Sequence, residues 1–218
     1  AAPKPASGLR PTEIDSWPVA GWVTLPGKVF GHRAVWAGGT GNVPNTVFVR
    51  DLAKHKNGVL ATAAAGWTIT WVKASADFVV YMEEKGTSPD EDSTAWRMHA
   101  VDLSTGAKEV IASSSAKDAG IPPSPVIDGN DVVWVDTSGN NSTILVKHLR
   151  DNSKPQPLFA APQIRDCGAT GGLVVFIQVV GGHRDLYELS LTDGKPPPSA
   201  DPHRCSQTRQ RRLGGSGL

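Results

Sequence analysis

The chain has 218 residues, 39% of them hydrophobic, enough for one domain with a substantial core or two small ones. It carries 22 basic and 21 acidic side chains, and its one basic excess lies in residues 201–218, where Arg204, Arg209, Arg211 and Arg212 face only Asp201. The remaining residues hold no basic stripe of the kind that marks a nucleic-acid binder, and no apolar run nears the roughly 18 residues of a membrane span.

Residues 1–19 open with "AAPKPASGLRP", small and Pro-rich with no hydrophobic stretch. This reads as a linker or mature start left after removal of a signal peptide, so an exported protein, periplasmic or extracellular, is expected. Four similar units follow, at about 20–65, 66–115, 116–160 and 161–195. Each begins with a short strand: "WVTLP" (Trp22–Pro26), "WTITWV" (Trp67–Val72), "SPVID" (Ser124–Asp128) and "PQIRDCG" (Pro162–Gly168). A second strand then carries a turn residue, two or three apolar residues and an aromatic: "GHRAVWAG", "SADFVVYME", "GNDVVWVD" and "GGLVVFIQ", with Trp36, Tyr81, Trp134 and Phe176. A third strand ends at Leu52, Leu103, Leu149 or Leu191, and a turn leads to a short apolar fourth strand. Residues 196–218 lose the pattern and read as a disordered basic tail.

The aromatics lie 45, 53 and 42 residues apart (36 to 81, 81 to 134, 134 to 176). Spacing in the 40s and low 50s, with strand chemistry throughout, suits the blades of a propeller with variable loops. The expected fold is all-β: a β-propeller or partial propeller of about four four-stranded antiparallel blades, with the first strand of each innermost. Unbroken runs such as "VVWV" and "VVFI" fit strands covered on both faces. Val35, Trp36, Val80, Tyr81, Val133, Trp134, Val175 and Phe176 are the expected core.

The pattern Pro-x-h-x-Gly-x-x-Val-Val-Trp, loop, h-x-h-x-Asp-Leu-x-x-Gly, best kept in "SPVIDGNDVVWVD" and "MHAVDLSTGAKEVI", resembles the repeat of TolB-like β-propellers over residues 20–195. The resemblance implies a propeller of six or seven blades, so the chain reads as a truncated relative of a longer one, the alternative being a compact small propeller with a flexible basic tail. It implies little about activity, because such folds serve as scaffolds, binding modules and peptidase gating domains.

The chemistry-bearing motifs are sparse. There is no Gly-x-Ser-x-Gly, no His-Glu-x-x-His, no P-loop and no Cys-x-x-Cys. No catalytic residue and no cofactor are expected, and the six histidines read as surface or satisfied structural groups. Cys167 and Cys205 either pair or remain two thiols. Asp90, Glu91 and Asp92 are the candidate cation ligands, since hard cations favour clustered carboxylates. Trp67, Trp71 and Trp96 are the candidate binding platform. Trp67 and Trp71 stand four apart, on one side of a regular strand. Asn140 and Asn141 head overlapping glycosylation sequons, which matter only in a eukaryotic secretory pathway. The leading expectation is an exported, monomeric, non-enzymatic module for a protein or carbohydrate partner. The other is a propeller glycosidase or lyase built on paired carboxylates among Asp77, Asp128 and Asp131 at the channel mouth.

Overall fold

The computed structural model describes residues 22–40, 43–85, 95–114, 122–137 and 141–195. Among them there is no helix, and the strands form four antiparallel sheets that follow one another along the chain. Sheet 1 holds β1 (Trp22–Phe30), β2 (Arg33–Thr40), β3 (Thr46–Asp51) and β4 (Lys56–Thr62). Sheet 2 holds β5 (Trp67–Ala74), β6 (Phe78–Lys85), β7 (Trp96–Asp102) and β8 (Lys108–Ser113). Sheet 3 holds β9 (Val126–Asp128), β10 (Asp131–Asp136), β11 (Ser142–His148) and β12 (Gln156–Ala161). Sheet 4 has three described strands, β13 (Ile164–Thr170), β14 (Leu173–Val180) and β15 (His183–Ser190). In each sheet the strands pair in simple sequence order, and the first strands of successive sheets lie against one another.

The repeated Leu has a repeated task. Leu52, Leu103, Leu149 and Leu191 donate their amide N–H to the carbonyls of His32, Asp77, Asn130 and Gly172, each at 2.7–2.8 Å. Each bond ties the end of a third strand to the turn between strands one and two. The Asp before the Leu has its own role. Asp51 accepts from the Ala53 and Lys54 amides, and Asp102 from those of Ser104 and Thr105, so the side chain builds the turn the backbone needs there. These amides and the nearby hydroxyl and ammonium groups hold both carboxyls below the ordinary carboxylate range. Gly129 answers another backbone demand. Its φ of +58° lies in the left-handed region that side-chain-bearing residues rarely adopt.

Three clusters of apolar side chains fill the spaces between sheets 1 and 2, 2 and 3, and 3 and 4. Their membership reveals a polarity in the repeat. Tyr81 faces sheet 1, Trp134 faces sheet 2 and Phe176 faces sheet 3, so the aromatic points back to the preceding sheet. The residue before it points forward: Val35 toward sheet 2, Val80 toward sheet 3 and Val133 toward sheet 4. Six of the eight expected core residues are therefore fully buried. Trp36 and Val175 are half-buried, less completely covered than the other six. Trp36 is the backward member of the first sheet and stacks on Phe48. Val175 is the forward member of the fourth. The "VVFI" run is consequently covered on one face, through Val174 and Phe176, whereas all four residues of "VVWV" are buried.

Polar ties reinforce the packing. Arg150 of sheet 3 reaches Asp77 at 2.9 Å and Asp102 at 3.5 Å on sheet 2, with its guanidinium over the Phe78 ring. The Gly172 amide of sheet 4 donates to Asp128 of sheet 3 at 2.8 Å. Arg150 is 44% exposed, so Arg150→Ala is expected to lower stability by only about 1 kcal/mol, measured by urea titration. Cys167 is buried in the third cluster, and burial with the nearby Asp166 charge pushes its thiol up to about 12. Cys205 lies outside the described residues.

Candidate functional site

The three candidate tryptophans all belong to sheet 2, but one backbone irregularity separates them. Along β5 and β6, Trp67 pairs with Lys85 and Ile69 with Glu83, then Trp71 pairs with Met82. Thr70 is the extra residue of a β-bulge. A bulge changes which face the following residues occupy, so Trp67 shares the Lys85 and Glu83 face while Trp71 shares the Met82 face. The expectation that Trp67 and Trp71 lie on one side is corrected by this single inserted residue. Trp96 pairs with Glu84 and therefore shares the Trp71 face.

Each indole also has close partners. Trp67 is half-buried, with the Arg97 guanidinium 4.0 Å from its ring centre. Trp71 donates its indole N–H to the Pro125 carbonyl at 2.9 Å and carries the Lys73 ammonium over its ring. Trp96 is half-buried and packs against the second cluster. Trp67, Lys85 and Trp96 mark one end of sheet 2, where the chain leaves β6 and returns at β7. Asp90, Glu91 and Asp92 belong to the segment between and lie outside the described residues. Among the described residues no three His, Cys, Asp or Glu side chains gather as a metal site requires.

The acids weighed for catalysis are engaged in structure. Asp77 holds Arg150 and Asp128 accepts the Gly172 amide. Asp131 meets the His148 ring at 2.7 Å. Asp128 and Asp131 are partners across β9 and β10, yet one side chain is committed to the next sheet and the other to its own third strand.

A polar cluster that sequence reading missed lies on the side of sheet 2 facing sheet 1. Glu83 is 2% exposed, His99 4% and Tyr81 fully buried. The Glu83 carboxylate lies 3.3 Å from His99 Nε2 and 3.9 Å from Lys108 Nζ. The Tyr81 and His99 rings stack at 4.8 Å, and the Lys108 ammonium stands over the Tyr81 ring. Among the described residues, the Tyr81 hydroxyl and both His99 ring nitrogens make no hydrogen bond. The reading of His99 as a surface or satisfied histidine is thus corrected: it is buried and held by stacking and charge. Burial and the Lys108 charge lower its basicity, against a smaller upward pull from Glu83. Burial and the Glu83 charge push the Tyr81 phenol upward. One signal was present in "FVVYMEEK", where Glu83 falls two residues after Tyr81 and so on its face.

No family model matches the sequence, and no curated protein sequence does. Solved structures match in architecture. A prolyl endopeptidase superimposes with a TM-score of 0.55 at 12% identity, over 82% of this chain and 28% of its own. The fold is a partial β-propeller. A puromycin hydrolase gives a TM-score of 0.51 at 13% identity, over 81% of this propeller chain and 30% of its own. TolB from Acinetobacter baumannii gives 0.46 at 19% identity, over 69% and 36%. The chain thus spans less than two fifths of the length of these structures. The four sheets are consecutive blades, with β1, β5, β9 and β13 innermost. No helix among the described residues is long and apolar enough to cross a membrane.

Proposed function

We propose that the chain is an exported, non-enzymatic binding module of the TolB-like type, which takes a protein or glycan partner at the end of blade 2. The observation that supports this reading is the engagement of the acids beside the strand starts. Asp77, Asp128 and Asp131 are each occupied by an arginine, an amide or a histidine, whereas glycoside hydrolysis needs two carboxyls converging on one bond about 5–10 Å apart. The same end of blade 2 presents half-buried Trp67 beside Arg97 on one face and half-buried Trp96 on the other. Indole faces give stacking area to a sugar ring or a peptide side chain, and a guanidinium adds charge recognition. Asp90, Glu91 and Asp92 extend this surface in sequence and are proposed to add acidic contacts or to hold a cation.

The test is a panel of neutral and uronic-acid oligosaccharides and cationic peptides, titrated against intrinsic tryptophan fluorescence. Saturable quenching by one class is expected, weakened about tenfold, or 1.4 kcal/mol, by Trp96→Ala. The same panel is assayed for new reducing ends and unsaturated products, with none expected. Turnover by the native protein that disappears in Asp131→Asn would replace this reading with the propeller glycosidase or lyase.

A further inference from the structure

Tyr81 carries its ring from blade 2 into the seam with blade 1, where Val35, Ala37, Val47 and Ala61 meet it with apolar side chains. Its hydroxyl is buried there and makes no hydrogen bond to any described residue. Both ring nitrogens of His99 are in the same condition, and the two rings stack at 4.8 Å. Three orphaned polar atoms thus lie in one place. Buried side-chain polar atoms are paired in the large majority of cases, with protein or with ordered water. Leaving them bare forfeits the hydration they had in the unfolded chain.

Glu83 brings an acceptor to the same place. Its carboxylate is nearly fully buried and lies 3.3 Å from His99 Nε2, yet that nitrogen makes no aligned hydrogen bond. Lys108 Nζ stands 3.9 Å from the other carboxylate oxygen, beyond direct hydrogen-bond length. A polar contact of that length is the kind a water bridges. The carboxylate is close to the phenol as well, since its charge adds to burial in pushing the Tyr81 hydroxyl upward.

Charge decides the class of guest. Glu83 and Lys108 carry opposite charges, and His99, less basic than usual through burial and the Lys108 charge, is neutral at pH 7. A buried anion would face the Glu83 carboxylate, and a buried cation would face Lys108; either would be an uncompensated charge in the seam. A small neutral molecule that both donates and accepts meets every group present.

We propose that the seam between blades 1 and 2 is a binding site for one ordered water, seated on Tyr81, His99 and Glu83. The water accepts from the Tyr81 O–H and from His99 Nε2–H and donates to the Glu83 carboxylate. These are three partners, the usual number for a buried water. The seat fixes the His99 tautomer, with the proton on Nε2 and only a lone pair on Nδ1. It is independent of the tryptophan end of blade 2.

Two measurements on the full chain test the seat. The first is the sign of the effect of Tyr81→Phe. A bare buried hydroxyl lowers stability, so removing it would raise the folding equilibrium constant. A hydroxyl bonded to a held water contributes stability, and removing it leaves the water short of a partner. Tyr81→Phe is therefore expected to lower the constant about fivefold, read from urea midpoints at unchanged m-value. An unchanged or raised constant would overturn the proposal. The second is a high-resolution crystal structure of the native chain, which separates a water from a direct Tyr81–Glu83 bond that would give the same sign. A solvent peak is expected about 2.5–3.2 Å from Tyr81 Oη, His99 Nε2 and a Glu83 oxygen. A direct Tyr81–Glu83 hydrogen bond with no peak, or a peak at metal-ligand distances of about 2.0–2.2 Å, would each overturn it.

Discussion

Replacing Trp134 by Ala is expected to remove about 3–5 kcal/mol of stability, the usual cost of truncating a core aromatic. Trp134 is 2% exposed and lies between blades 2 and 3, among Phe78, Val80, Met98, Ala100, Ile127, Val132 and Leu149. Its neighbours come from β6, β7, β9 and β10, strands tied into two ladders, so they cannot collapse onto the void without breaking register. The cavity term therefore persists beside the lost transfer energy. Trp36→Ala is the matched control, at the same repeat position in blade 1, where the ring is half-buried. Its loss is expected to be less than half as large. Urea midpoints at constant m-value measure both. Equal losses at the two positions would contradict the backward-facing polarity of the aromatic.

The architecture was legible because its signals are local and repeated. An alternation of β-branched residues, aromatics and turn residues sets strand and turn, and recurrence sets the blade. The Asp-Leu pair was visible as letters, and its physical content is the amide ladder from Leu to the preceding turn. What escaped was everything set by a neighbouring blade. Trp36 and Val175 have the same local sequence character as Trp134 and Val133. Their exposure differs because, among the described residues, no further blade packs on the faces they occupy.

The candidate site was less legible, for two physical reasons. A bulge at Thr70 is invisible in "WTITW", where alternation alone puts both indoles on one face. One extra residue reverses that. The Glu83–His99–Lys108 cluster joins residues from β6, β7 and β8 whose proximity depends on pairing register. Glu83 opposite Arg97, and His99 opposite Tyr81, are facts of the ladder and not of either strand alone. The acids beside the strand starts were readable as positions, but their engagement by Arg150, the Gly172 amide and His148 was not.

The buried cluster yields the second large expected effect. Glu83→Ala leaves a void and removes the charge that faces His99 and Lys108. Removing one partner of a buried polar contact costs about 1–3 kcal/mol, and a loss in that range is expected here. Lys108 is 37% exposed, so its ammonium can turn to water along a flexible stem. The pH dependence has a definite sign. His99 in the fold is less basic than its ordinary value of 6.5, so the unfolded chain takes up a proton at a higher pH than the folded one. The stability contributed by neutral His99 is therefore fully present above about pH 6.5 and is lost as pH falls through that value toward the folded one. His99→Phe, which keeps a ring against Tyr81, is expected to flatten this limb of a plot of urea midpoint against pH. Glu83→Ala is expected to steepen or extend it, because Glu83 is the group that pulls His99 upward. Lys108→Ala should act oppositely, relieving the downward push and shrinking the acid-side loss. Identical midpoint profiles for the native chain and His99→Phe between pH 7.5 and 5 would remove His99 from this account and leave the cluster as packing alone.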